Sequence, residues 1–193
     1  TNYWGSTNAR INNIGLACEK LNGIILMPGE RLSYNETIGE RTAEGGYQAA
    51  PAYNGDNVED QIGGGICQVS TTLYIAALKG ELKIVERKHH TIPSTYVPLG
   101  LDATISTDSP DLKLENNTDY PMHIAIICDV HDGTVAAKIY GIKPRDYYLR
   151  FESQVIETTP AIETQYIPDS TVPEGTVVTE GSTRDGYTVE VYK

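Results

Sequence analysis

The chain is poor in the residues that staple small domains. Its three cysteines, Cys18, Cys67 and Cys128, are too few and too widely spread for a disulfide framework, and none belongs to a C-x-x-C pair. At most one bridge can form, so one thiol stays free in any case. Basic residues are outnumbered, 15 Lys and Arg against 26 Asp and Glu, and the net charge of −11 repels a phosphate backbone or an anionic membrane. No basic cluster escapes that field, which excludes nucleic acid as a partner. No apolar run approaches the roughly 18 residues of a membrane span, and no signal peptide is visible. Any membrane attachment is therefore expected through a segment outside this chain, and a sequence beginning at Thr1 reads as a mature or trimmed piece. Phe and Trp occur once each against thirteen Tyr, a bias that suits half-buried strands and polymer-binding surfaces.

What is present suffices for one domain with a real core plus a small appendix. The stretch that organises it is residues 63–80, GGGICQVSTTLYIAALKG. Val69, Leu73, Ala76 and Ala77 recur at helical spacing and Gly80 suits the C′ position, which places Cys67 in the first turn of a helix behind three glycines. Unpaired N–H groups and the positive end of the dipole stabilise a thiolate there. Glycines let a substrate backbone come close, and their N–H groups can turn toward a developing oxyanion. The pattern predicts acyl transfer. A small buried cysteine beside a flexible loop is the plain alternative, and a base downstream tilts the balance.

A cysteine nucleophile needs a partner that accepts and returns a proton, and histidine is the usual one. His89 and His90 follow the helix by one strand, residues 82–87 extended toward Ile92. Along it His90 shares parity with Leu82, Ile84 and Ile92, so His90 is the expected base and His89 the reserve. The group that orients the imidazole is Asp102 or a backbone carbonyl. Adjacent histidines in a strand point apart, which argues against a zinc site with Cys67. Asp56, Glu59 and Asp60 read as a solvated acidic edge rather than a calcium cage, so no metal or cofactor is expected.

Elsewhere the patterning predicts an α+β fold, two main helices on a mostly antiparallel sheet. Thr7 or Asn8 caps a first helix with the stripe Ile11, Ile14, Cys18 and Leu21, closed by Gly23, and Cys18 is core. Residues 24–27 and 31–34 read as strands around a Pro28-Gly29 turn, and 35–65 as a long loop that is functional or hides short elements. Short strands are expected at 103–105 and 112–114. Residues 122–130 and 135–140 form a hairpin around Asp132-Gly133, its first strand central and apolar on both faces. That makes Cys128 core and His123 a packed histidine. Composition shifts near Lys143-Pro144, and residues 1–148 are expected as the main domain, with 149–193 as a small β appendix.

Five ordered motifs complete the reading: RINNIGLACEKLNG, MPGERLSYNETIGERTAEGGYQAA, GGGICQVSTTLYIAAL, IVERKHHTIPSTYVPLGLDATI and DLKLENNT. Over residues 9–142 the chain resembles the VanW family, and from about residue 150 it is similar to the start of a glycine-containing surface β module. The resemblance implies a bacterial protein outside the cytoplasmic membrane. It also implies peptidoglycan L,D-transpeptidation, in which stem peptides are cross-linked through a cysteine thioester with release of D-Ala. Carried over by motif, Cys67 is the nucleophile and His90 before Thr91 the histidine; Asp102 falls in a matching motif and is the candidate third catalytic group. Gly64, Gly65, Gln68, Arg41, Arg87 and Tyr96 are the substrate-contacting candidates, with donor and acceptor stem peptides as partners. The rivals are a non-catalytic wall-binding or scaffolding domain and a hydrolase using the same dyad.

Overall fold

Two apolar periodicities become two 14-residue helices. The computed structural model describes residues 1–193 apart from 55–56, 143–145, 164 and 179–182, with backbone alone at 54 and 57. Asp56 and the Lys143-Pro144 shift therefore lie outside the described residues. The first half of the chain runs α1 (Asn8–Leu21), β1 (Ile24–Leu26), β2 (Arg31–Ser33), α2 (Tyr34–Ile38), β3 (Ala49–Asn54), β4 (Asn57–Ile62) and α3 (Cys67–Gly80). There follow β5 (Lys83–Glu86), β6 (Lys113–Glu115), β7 (Met122–Asp129), β8 (Thr134–Tyr140), β9 (Glu152–Thr159) and β10 (Gly186–Tyr192).

Thr7 caps α1, its Oγ1 accepting from the Arg10 N–H at 3.2 Å. The stripe Ile14, Ala17, Cys18 and Leu21 is buried, and Gly23 at φ +88° turns the chain out of the helix into β1. α1 packs on β7 and α3 on β8, the central strand and one edge of an antiparallel sheet ordered β1-β7-β8. Ile14, Leu21, Val69, Leu73, Leu114 and Ile124 are fully buried between these layers. Removing such apolar surface from water supplies most of the driving force for the fold.

The fold is α+β, and its strands sort into several small antiparallel sheets. The Pro28-Gly29 turn is the reason at one point: β1 before it pairs with β7, while β2 after it pairs with β6 in a second sheet ordered β2-β6-β5. The expected loop at 35–65 hides α2 and a two-stranded hairpin, β3 with β4. Ser33 caps α2 by accepting from the Glu36 N–H at 3.1 Å, an S-x-x-E start signal present in the sequence. On β4, Glu59 and Asp60 are exposed.

Three further expectations change. Strand β5 stops at Glu86, and beyond it only Lys88 makes an isolated bridge, to Thr104, so His90 is placed by side-chain bonds rather than by strand parity. Gly80 is the last helical residue and Glu81 takes the left-handed cap at φ 58°. A Cβ on Gly80 would lie 2.9 Å from Leu82 Cδ1, the movable tip of a side chain. Strand β7 is central, but it buries one face: Met122, Ile124 and Ile126 point in, while His123 is exposed and stacks on its cross-strand neighbour Tyr140 at 5.9 Å. Cys128 packs at the core edge with the Tyr3 hydroxyl 3.2 Å from its sulfur.

At the C-terminal end β9 and β10 pair antiparallel with a bulge between Thr188 and Val189. Ser153 Oγ donates to the Leu99 carbonyl at 2.5 Å, and Gly100 admits Val191 so closely that a Cβ would sit 2.9 Å from its Cγ2.

Candidate active site

Each glycine of the 63–65 run has its own structural reason. Gly63 at φ +84° and Gly65 at φ +102° occupy backbone that L side chains rarely adopt, while a Cβ on Gly64 would fall 2.1 Å from the Ala50 carbonyl oxygen. The run is thus wedged against β3. Buried Asn13 of α1 clamps it, donating to the Gln48 carbonyl at 2.8 Å and the Gly64 carbonyl at 3.0 Å, and Tyr34 OH donates to the Ile66 carbonyl at 2.9 Å. Cys67 emerges as the first residue of α3.

This wedging occupies part of the run's N–H groups. The N–H groups of Gly63 and Gly64 are spent on the Gln48 and Gln61 carbonyls at 3.1 and 3.0 Å. Among the described residues those of Gly65 and Cys67 have no carbonyl partner, so the free donors sit at the helix start itself.

Three side-chain hydroxyl bonds bring the rest of the site alongside. Ser70 Oγ donates to the Ala103 carbonyl at 2.6 Å, Thr71 Oγ1 accepts from the Ala103 N–H at 3.0 Å, and Thr71 Oγ1 donates back to the Ala103 carbonyl at 3.3 Å. The 102–105 segment therefore runs along α3. Its Thr104 hydroxyl and Ile105 carbonyl lie 3.9 and 3.6 Å from Cys67 Sγ. Its Asp102 Oδ2 accepts from both the N–H and the Nδ1 of His90, at 2.7 and 2.6 Å. With Nδ1 committed to Asp102, Nε2 is the nitrogen left to serve Cys67, which lines the same cleft. His89 is exposed, and its Nδ1 donates to the His90 carbonyl at 2.9 Å. Of the two adjacent histidines, His90 is the one that faces the thiol.

Burial would raise the Cys67 thiol, but the hydrogen bond and charge of His90, helped by Thr104, outweigh it and leave the thiol below its ordinary value. Burial would likewise lower His90. Its bonds to Asp102 and Cys67 win, and its pKa rises to about 9. Asp102, burial opposing, is held below the usual carboxylate range by His90 and Arg87. The two shifts run toward a thiolate beside an imidazolium, oriented by a buried carboxylate.

Arg87 supports this from behind. Its Nε donates to the Asp102 carbonyl and a terminal nitrogen to the Gly100 carbonyl, both at 2.7 Å, with the guanidinium 4.9 Å over the Tyr74 ring. Arg87 lies outside the cleft that holds Cys67 and lines a second cavity with His89. The Cys67 cleft itself has a volume of about 530 Å³, with Tyr53 of the hairpin edge-on to His90 at 5.9 Å. Gly64, Gly65, Arg41 and Tyr96 line it. Gln68 is buried and its amide is engaged on both sides, accepting from Arg10 at 2.7 Å and donating to the Asn2 carbonyl at 2.8 Å.

Arg10 and Tyr53 were not singled out from the sequence, yet both line the cleft. A signal for Arg10 existed: it opens the first motif and sits in the first turn of α1, where the dipole disfavours a cation. Tyr53 was hidden inside the segment read as loop. Among the described residues, no group of three or more His, Cys, Asp or Glu side chains converges as a metal site, and no helix is long and apolar enough to cross a membrane.

A cysteine at a helix start and a histidine share an open cleft of an α+β scaffold, with an aspartate behind the histidine. The chain belongs to the VanW family: the family described as VanW like protein matches residues 9–140. It is similar to the YoaR protein of Bacillus subtilis (strain 168), 39% identical over 140 residues that cover 72% of this chain and 46% of that one. It is also similar to the Vancomycin B-type resistance protein VanW of Enterococcus faecalis (strain ATCC 700802 / V583), 29% identical over 139 residues, 69% of this chain and 50% of that protein. The chain thus spans about half the length of these curated relatives. No solved structure matches it.

Proposed function

We propose that this chain is a peptidoglycan L,D-transpeptidase working through a Cys67 thioester at the outer face of the bacterial cytoplasmic membrane, with residues 1–148 as its catalytic domain. The observation that carries the reading is Cys67 at a helix start that opens on a cleft, with His90 lining the same cleft and its ring held by Asp102 at 2.6 Å. The similarity to a resistance protein named for vancomycin supports a cell-wall setting.

In the first half-reaction the thiolate attacks the carbonyl at the L-centre of the donor's third residue. The carbonyl electron pair moves to oxygen, held by the N–H of Cys67 and its neighbour Gly65. As the intermediate collapses the C–N bond breaks, and the D-Ala amine leaves with the proton that His90 carried. In the second half-reaction an acceptor side-chain amine attacks the thioester and gives its proton to His90, and the thiolate departs. Atoms, charge and catalyst are then restored. No cofactor is required.

Intact mass after incubation with a disaccharide tetrapeptide tests this. Wild type is expected to gain the mass of the donor less D-Ala, and Cys67→Ala to gain nothing. A wall-binding scaffold would show no adduct in either while still binding sacculi, and a hydrolase would release free tripeptide even when an amine acceptor is in excess.

A further inference from the structure

The cleft inverts the charge of the rest of the molecule. The chain carries a net −11, yet the described residues lining this cleft include Arg10 and Arg41 and no Asp or Glu. Neither arginine is in an ion pair among the described residues. Arg10 donates from one terminal nitrogen to Ser6 Oγ and from the other to Gln68 Oε1, both at 2.7 Å, and Arg41 donates to Asn35 Oδ1 at 3.3 Å. All three acceptors are neutral. Of the five N–H donors of the Arg10 guanidinium, three have no acceptor among the described residues.

Its position is fixed and close. The aliphatic stem of Arg10 rests on Gly65, where a Cβ would sit 2.5 Å from Arg10 Cγ, and that of Arg41 rests on Gly63 at 3.0 Å. The two guanidinium groups therefore flank the run that leads into Cys67. Burial lowers the Arg10 pKa, opposed by Tyr96, Cys67 and Tyr53 and by no carboxylate, and a partly buried cation hydrogen-bonded only to neutral acceptors is a site that gains by taking an anion. The residue beyond a scissile carbonyl lies about 3.8 Å away, Cα to Cα, the right scale for a terminal carboxylate to reach a side chain resting two residues before the nucleophile.

Resting on the transpeptidase reading above, the geometry points to Arg10, flanked by Arg41, as the specificity residue that binds the free terminal carboxylate of the donor peptide. The cleft then takes donors ending one residue past the scissile bond as acids and rejects the same donors capped as amides. Gln68 is a positioning residue for Arg10 and does not contact the donor.

Binding measured without chemistry separates this from the reaction itself. In Cys67→Ala, Nα,Nε-diacetyl-L-Lys-D-Ala as the free acid is expected to bind roughly 10- to 100-fold more tightly than its C-terminal amide, the range of a hydrogen bond to a charged group. Adding Arg10→Gln should bring the two to parity, and Arg10→Lys should keep part of the gap. Should Arg10→Gln unfold, ionic strength serves instead: salt should weaken the acid and leave the amide unchanged. Equal binding of acid and amide in Cys67→Ala, binding of neither, or a gap that survives in folded Arg10→Gln overturns the subsite. A wild type that forms no thioester but retains the gap sinks the transpeptidase and keeps the anion site.

Discussion

Replacing His90 with alanine is expected to raise the Cys67 thiol above its ordinary range and to slow thioester formation by about 10²–10⁴-fold. Burial is the largest influence on that thiol and acts upward; His90 is what reverses it. Without the imidazole the sulfur keeps its burial and its weak contacts to Thr104 and Ile105, and little of it ionises at neutral pH. The departing amine also loses its proton donor. His89→Ala is the internal control, because that ring is exposed and bonded to a backbone carbonyl, and its rate is expected to match wild type. Equal losses in the two variants would mean that the choice between neighbouring histidines has been made wrongly.

A second large effect is expected from a single methyl group. In Gly64→Ala the new Cβ would lie 2.1 Å from the Ala50 carbonyl oxygen, 2.6 Å from its carbon and 3.0 Å from the Pro51 carbonyl oxygen, all backbone atoms of β3. Rigid backbone on one side and the Asn13 clamp on the other leave nowhere for the loop to move. The cost is about 3 kcal/mol or more, the upper end for overpacking, and it displaces the start of α3 on which Cys67 depends. Gly15→Ala, at an α1 position with no atom within 4 Å of the added carbon, is the contrasting control and should gain about 0.5–1 kcal/mol. Urea unfolding midpoints decide it. A Gly64→Ala protein as stable as wild type would mean that the glycine run is loose rather than wedged.

The sequence carried more of the site than of the surrounding architecture. A helix start is a local event, so three glycines ahead of a periodic apolar run are enough to locate Cys67, and the Thr7-Asn8 pair is enough to locate the start of α1, whose cap falls on Thr7. Sheet membership is not local. Which partner β1 and β2 would take depended on contacts about 90 residues away, and nothing near Pro28-Gly29 encodes them. His90 was chosen on the parity of a strand that ends before reaching it. The residue emerged anyway, because Asp102 captures both its N–H and its ring. The glycine run shows the same thing: which of its N–H groups remain free depends on where β3 and β4 run, a hairpin inside the segment that reads as loop. Arg10 went unnoticed because its meaning lies in what it lacks, a carboxylate partner, which only the fold makes visible.

The pH profile of Cys67 alkylation by iodoacetamide, read peptide by peptide so that Cys18 and Cys128 report separately, bears most directly on the central claim. A thiol held down by His90 should react with a midpoint below its ordinary value of 9.0, and a further inflection should follow near pH 9 as the imidazolium loses its proton. Cys18, whose thiol burial pushes up, should stay inert across the same range. A Cys67 midpoint above 9.0, or reactivity that tracks Cys18, would contradict the account.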